Sequence, residues 1–244
     1  TTYHFYAVGN GQDGTAAVSV VAPDTAGNPA VTAGATTFAV DTTAPTVVLA
    51  YSLDGTTFAA SPPTPAKLGV TVTVRATITE AVGLKAAPSI TLTGTGNTTG
   101  ASSAMTRVGT SNAYIYGYVV QAGENGTLSA SIAAEDTAGN TLTTTPATAF
   151  IVDTAAPTVT LAYSDGGPAN ANGPYKSGDT VTVTASFTEA NALQGTPTLA
   201  LVPGNYAGGT LPTVALADSG NGRVYVGTFT IPVGNGTVTA TVGA

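Results

Sequence analysis

The feature that most constrains this chain is that it repeats itself, and a fixed period limits the possible folds more than any local pattern does. Residues 38–52 read FAVDTTAPTVVLAYS and residues 150–164 read FIVDTAAPTVTLAYS, an offset of 112. GVTVTVRATITEA at 69–81 returns as GDTVTVTASFTEA at 178–190, and DTAGN stands at both 24–28 and 136–140. The chain is therefore an array of units of about 110 residues, an ordinary size for one compact domain. The array is cut out of phase. Residues 41–152 make a complete unit, residues 1–40 match the last third of one, and residues 153–244 match a unit that stops just before DTAGN would follow. No long polar linker separates the units. The boundary is the short DTTAP or DTAAP segment, whose Pro restricts the preceding residue to extended conformations, so a stiff junction is expected.

Within the complete unit, alternation gives the strands. Val70, Val72, Val74, Ala76 and Ile78 share one face, and Thr71, Thr73, Arg75, Thr77 and Thr79 share the other. A period of two over ten residues cannot be a helical stripe. Leu128, Ala130, Ile132 and Ala134 repeat the pattern. Seven strands are predicted, at about 46–52, 69–79, 88–94, 103–108, 113–121, 126–134 and 145–152, with Gly, Asn, Asp or Pro in most of the gaps. The 47 threonines, 30 glycines and 15 prolines agree with a chain of strands and turns. Seven strands in about 110 residues is the count of an immunoglobulin-like β-sandwich, here without its Cys pair or Trp. The fold class expected is all-β: tandem immunoglobulin-like sandwiches, one complete and two partial.

Charge excludes several functions. Six basic residues against thirteen acidic ones, a net charge of −7, leave no basic patch for nucleic acid. No apolar run reaches the length of a membrane span. The opening TTYHFYAVGN reads as a strand rather than as a signal peptide. The absence of Cys removes disulfides, thiolate metal sites and cysteine nucleophiles, and a single His leaves little for acid–base chemistry. No nucleophile–base pair or histidine metal cluster is visible, so no enzyme is expected.

DTTAPTVVLAYS, then a strand closing in ITEAVGL, then a late DTAGN and a return to VDTAAP, resembles the bacterial Ig-like repeats of large extracellular adhesins and surface proteins. The resemblance covers the whole chain in its three phases. It implies tandem stalk modules at the cell surface, and calcium near domain junctions.

The acids support a site on their own terms. Asp24, Asp41, Glu80, Glu135, Asp136, Asp153 and Glu189, seven of the thirteen, lie in or beside the repeated motifs. In this topology the entrance to the first strand, the second–third loop and the sixth–seventh loop gather at one end of the sandwich. Those are the places of Asp41, Glu80 and the Asp136–Asn140 loop. Three converging carboxylates repel one another unless a cation intervenes, and calcium takes six to eight oxygen ligands of this kind. Asp41, Glu80, Asp136 and Asn140 supply such a set in the complete unit. The partial units hold split sets, Asp24 and Asn28 in one and Asp153 and Glu189 in the other. The alternative is turn chemistry alone, with Asp capping its own backbone in DTAGN and Glu80 ending a strand in water.

Other candidates are weaker. His4 reads as an ordinary strand residue, and GTGNTTG at 94–100 lacks a Walker lysine. Tyr114, Tyr116 and Tyr118 share one strand face, suited either to sugar stacking or to packing between strands. Asn97, Asn125 and Asn235 fit N-x-[ST], a pattern frequent by chance in a Thr-rich chain. The expected function is structural: a stalk, adhesin or filament segment of a long extracellular repeat protein, stiffened by calcium. The alternative is a carbohydrate-binding module or the accessory region of a secreted enzyme. Expected partners are adjacent copies or continuing repeats in a head-to-tail filament, and cell-surface or glycan ligands. With only 8% charged residues, the Thr faces should be covered by neighbours or by O-linked sugars.

Overall fold

A computed structural model describes residues 4–19, 21–29, 37–60, 65–94, 102–144, 147–166 and 173–243. The chain divides into two compact units, Thr1–Thr154 and Ala155–Ala244. Every regular element among the described residues is a strand.

In the first unit, β1 (Gly14–Ala17) and β2 (Thr37–Val40) form an antiparallel pair. The chain continues through β3 (Thr46–Ser52), β4 (Thr71–Thr79), β5 (Ser89–Gly94), β6 (Ser103–Ala104), β7 (Thr106–Arg107), β8 (Ala113–Val119), β9 (Asn125–Glu135), β10 (Thr141–Thr143) and β11 (Ala147–Asp153). One sheet has the order β3-β4-β8-β7; the other has β10-β9-β5-β6, with β11 also paired to β9. The apolar face read from the alternation of β4 is the core face: Val72, Val74, Ala76 and Ile78 are buried with Ile90 and Leu92 of β5 and with Leu128, Ala130 and Ile132 of β9. Burying each aliphatic side chain of this size contributes about 1.5–3 kcal/mol, which makes this interface the main stabilising element of the unit.

Two expected strands differ in detail. The strand expected at 103–108 breaks at buried Met105, because β6 pairs with β5 in one sheet and β7 with β8 in the other. One continuous strand cannot belong to two sheets, so Met105 marks the crossing. The last strand runs over Ala147–Asp153 and is preceded by the unexpected β10, whose Thr-Leu-Thr is too short for alternation to reveal.

The second unit repeats the plan with β12 (Thr158–Ser164), β13 (Thr180–Thr188), β14 (Thr198–Pro203), β15 (Ala207–Gly208), β16 (Val214–Ala215), β17 (Ala217–Asp218), β18 (Val224–Thr230), β19 (Gly234–Asn235) and β20 (Val238–Gly243). Its sheets are β12-β13-β18-β17 and β16-β14-β20, with a small β15-β19 pair. Val183, Ala185, Leu199, Val214 and Leu216 form its core, where Phe187 meets Tyr225 edge-on with ring centres 5.7 Å apart.

Candidate metal centre and repeat junction

Asp41, Glu80 and Asp136 each offer a carboxylate oxygen within 4.8 Å of the others. Backbone contacts bring them together. The loop after β4 is tied to the end of β9 by the Lys85 N–H to the Glu135 carbonyl (2.9 Å) and by the Thr137 N–H to the Gly83 carbonyl (3.0 Å). Asn140 then draws in the third segment, since its Nδ2 donates to the Asp41 carbonyl at 3.1 Å and to Asp136 Oδ2 at 2.8 Å.

Asp136 is fully buried, and its Oδ1 accepts the N–H groups of Ala138, Gly139 and Asn140 at 2.8, 2.7 and 2.9 Å. Gly139 has φ 99°, a conformation that costs a glycine little, which is why DTAGN closes so tightly. Burial opposes ionisation of Asp136, but the hydrogen bonds from Asn140, Gly139 and Ala138 prevail and hold its carboxyl below the usual range. Glu80 Oε1 accepts from the N–H groups of Ala81 (2.6 Å) and Val82 (3.1 Å). Asp41 Oδ1 accepts from the Thr43 N–H at 3.1 Å, whereas its Oδ2 is buried with no hydrogen-bond partner among the described residues.

An orphaned anionic oxygen beside two further carboxylates is the donor chemistry of a hard cation. Oxygens within 4.8 Å of one another can share one calcium ion, whose ligands lie at about 2.3–2.6 Å. The residues present therefore fit such an ion. Capped and uncapped oxygens coexist here, because Asp136 and Glu80 cap the backbone with one oxygen each while Asp41 keeps an oxygen without a hydrogen-bond partner among the described residues. Asn140 uses its amide N–H groups to fasten the cluster. Lys85 pairs with Glu135 at 2.7 Å on the exposed surface, a contact worth little, and does not neutralise the three acids.

The other expected site residues do not form a second such group among the described residues. Asp24 and Asn28 reproduce the DTAGN turn: Asp24 Oδ1 accepts from the Ala26 and Asn28 N–H groups and Oδ2 from Asn28 Nδ2 (2.8 Å), in an exposed setting. Glu189 repeats the cap of Glu80, accepting from the Ala190 and Asn191 N–H groups in the second unit. Asp153 ends β11 in the first unit.

A junction device escaped the sequence reading. Asn125 Oδ1 accepts the Thr154 N–H at 2.8 Å, and Thr154 Oγ1 accepts the Gly123 N–H at 3.2 Å. The same arrangement stands one repeat earlier, where Asp13 accepts the N–H (2.5 Å) and Oγ1–H (2.8 Å) of Thr42 and Thr42 Oγ1 accepts the Gly11 N–H at 2.9 Å. Each clamp fixes the Thr of the Asp-Thr-x-Ala-Pro boundary. The signal was the recurring [Asp/Asn]-Gly-Thr at 13–15, 125–127 and 235–237, whose glycines have φ 131°, 111° and 127°. Asn125 and Asn235 of this motif also fit N-x-[ST]; the third such match, Asn97, lies outside the described residues. A further contact, part-buried, is Tyr118 Oη–H donating to Glu124 Oε1 at 2.5 Å, with the Gln121 N–H on Oε2 at 2.7 Å. Burial first, then Glu124, pushes the Tyr118 hydroxyl above its usual range.

The tyrosines do not form an exposed sugar platform. Tyr114 is in the core, and Tyr116 and Tyr118 pack against it, because even-numbered positions of β8 share the inward face with their partners on β4. His4 is exposed. A pocket of about 190 Å³ beside Glu80, lined also by Arg107 and Tyr114, is smaller than ordinary ligand pockets of about 300 Å³ or more. Arg107 in it is committed to the carbonyls of Ser111 and Thr110.

Two tandem strand-only units built on one repeated plan define a bacterial Ig-like array. The chain belongs to the bacterial Ig-like domain (group 3) family, whose profile matches residues 1–118 and 112–195. No curated protein matches it. Domains of this family are typically non-catalytic and often occur on surface proteins. No helix among the described residues is long and apolar enough to cross a membrane.

Proposed function

We propose that this chain is a structural segment of an extracellular repeat protein, a stalk or adhesin spacer without enzymatic activity, stiffened by calcium at Asp41, Glu80 and Asp136. The observation that carries the reading is the buried, unpartnered Asp41 Oδ2 beside two further carboxylates at the start of a repeat. Asp41 belongs to the boundary segment, and Glu80 and Asp136 belong to the body of the domain. An ion shared by them would tie the boundary to the sandwich and remove the mutual repulsion of the three acids. The Asp13 and Asn125 clamps hold the next boundary residue, so cation and clamp would together keep successive repeats from bending freely. Adjacent repeats or copies are the natural partners of such a module.

Melting the full chain in calcium and in chelator tests this. A ligand confined to the folded form stabilises it by about 2.7 kcal/mol at a hundred times its dissociation constant. A higher midpoint in calcium, lost in Asp41→Asn, is expected. Equal midpoints with and without calcium would reduce the cluster to turn chemistry.

A further inference from the structure

Resting on the calcium reading, we propose that Asp13 is a positioning residue for the cation site. It holds Asp41 in place through Thr42 and Thr43, so the affinity of a cluster in one repeat is set by a turn in the repeat before it. Asp13 itself stands outside the group of three carboxylates.

The grip is on a single peptide group. The Thr42 N–H, on one edge of the Asp41–Thr42 peptide, donates to Asp13 Oδ1 at 2.5 Å. The Asp41 carbonyl, on the other edge of that peptide, accepts from Asn140 Nδ2 at 3.1 Å, and the same nitrogen holds Asp136 Oδ2 at 2.8 Å. A trans peptide group is planar, so its N–H and C=O point to opposite sides. Held at both edges, the plane cannot turn without breaking one bond or the other. The Cα of Asp41 lies in that plane, so its side chain starts from a fixed point.

Thr43 then fixes the direction of the carboxylate. Its Oγ1–H donates to Asp13 Oδ2 at 2.7 Å, and its N–H donates to Asp41 Oδ1 at 3.1 Å. With Oδ1 taken, Oδ2 is the oxygen left buried with no hydrogen-bond partner among the described residues. Thr42 Oγ1 closes the arrangement, donating to Asp13 Oδ1 at 2.8 Å and accepting from the Gly11 N–H at 2.9 Å. Asp13 thus reaches Asp41 by two routes, the peptide plane and the Thr43 backbone.

Asn125, one repeat on, makes a slighter clamp. Its Oδ1 accepts the Thr154 N–H, but its other terminal atom is an amide nitrogen, which only donates. Ala155 stands where Thr43 stands and has no hydroxyl. The fuller grip, with both oxygens of a carboxylate, falls on the boundary that carries the Asp41 cluster. Removing a group that orients a metal ligand typically costs about 10–100-fold in metal affinity. Such coupling is reciprocal: the clamp is tighter in the loaded site by the factor by which it raises the affinity.

The test is calcium titration of the full chain by isothermal titration calorimetry, with Asp41→Asn identifying the binding that belongs to this site. Asp13→Ala and Asp13→Asn are titrated beside it. Both Asp13 variants lose the same charge, but Asn keeps the one acceptor oxygen that Asn125 uses. Asp13 is exposed and outside the core, so both variants should fold, and their melts in chelator check this. A dissociation constant weaker by at least about tenfold in Asp13→Ala, with Asp13→Asn between it and the native chain, is expected. Equal affinity in all three chains overturns the positioning role and leaves the calcium reading standing. Equal weakening in the two variants assigns the effect to charge alone and overturns the positioning role as well. A native chain that binds no calcium overturns the calcium reading itself, and this inference with it.

Discussion

The two units run one sequence plan, and β9 of the first is buried more deeply than its counterpart β20 of the second. In the first, Leu128, Ala130 and Ile132 of β9 are sealed at no more than 1% exposure. Of their counterparts 110 residues later on β20, Val238 is exposed at 38% and Ala240 and Val242 are only half-buried. The residues are similarly apolar and alternate in the same way. What differs is β11, which lays Phe150 and Val152 over that edge of the first core. Alternation decides which face is offered to a core, but burial depends on the last strand.

Removing the ring that β11 lays on the first core should have the largest effect. Phe150→Ala removes the ring between Tyr51 and Tyr118 and should destabilise the first unit by about 3–5 kcal/mol, read as a lowered denaturant midpoint. The second unit's transition should not move.

Next comes the buried polar pair. The second unit has Phe229 where the first has Tyr118, and its GNGT at 234–237 is one residue shorter than GENGT at 123–127, omitting Glu124. Tyr118→Phe alone leaves Glu124, which is 3% exposed, without its hydroxyl donor, and should cost about 1–3 kcal/mol. Adding Glu124→Ala should recover part of that loss; additive costs in the double variant would break the pairing argument.

Asn125→Ala, which removes the clamp on Thr154, should cost about 0.5–1.5 kcal/mol. Asn125→Asp, the residue used at position 13, should restore most of it. Differential scanning calorimetry distinguishes these outcomes.

Acid should separate the units more gently. In the first, hydrogen bonds from Thr43, Asn28 and the Thr57 N–H hold Asp13, Asp24 and Asp54 below the usual carboxylate range, and Asp136 is lowered against its burial. In the second, Asp218 is so held, by the Gly220 and Gly222 N–H groups. A folded-state pKa below the unfolded value gives stability that is present above about pH 3.9 and lost as pH falls below it. The first unit's midpoint should therefore drop further than the second's between neutral pH and pH 3, and Asp136→Asn should narrow the gap.

Much of this was legible in the sequence. The alternation of residues 70–79 is β4 with its core face correctly assigned, and TVVLAYS at 46–52 is β3 to the residue. The expected sandwich topology placed Asp41, Glu80 and Asp136 at one end, and each offers a carboxylate oxygen within 4.8 Å of the others. Less local features were hidden. Nothing in SAMTR announces that the chain changes sheets at Met105, because the change depends on which strands already flank it. The tyrosines of β8 permitted either a sugar platform or a core, and the choice fell to the side on which the opposite sheet packs.

By itself the sequence determined the repeat, the strands and the inward side of each, because these follow from period, turn chemistry and side-chain volume, all local to the chain. Only the tertiary structure decided which polar atoms are satisfied. Asp13 and Asn125 sit in one motif, and each holds a boundary Thr from a segment 29 residues along the chain. Asp41 and Asp136 both head repeated motifs, yet one is capped by three backbone N–H groups and the other keeps a buried oxygen uncapped. A hydrogen bond needs its partner within about 3 Å; Asp136 finds its backbone caps within its own turn, but the Thr partners of Asp13 and Asn125 lie 29 residues away, so only folding brings those within reach.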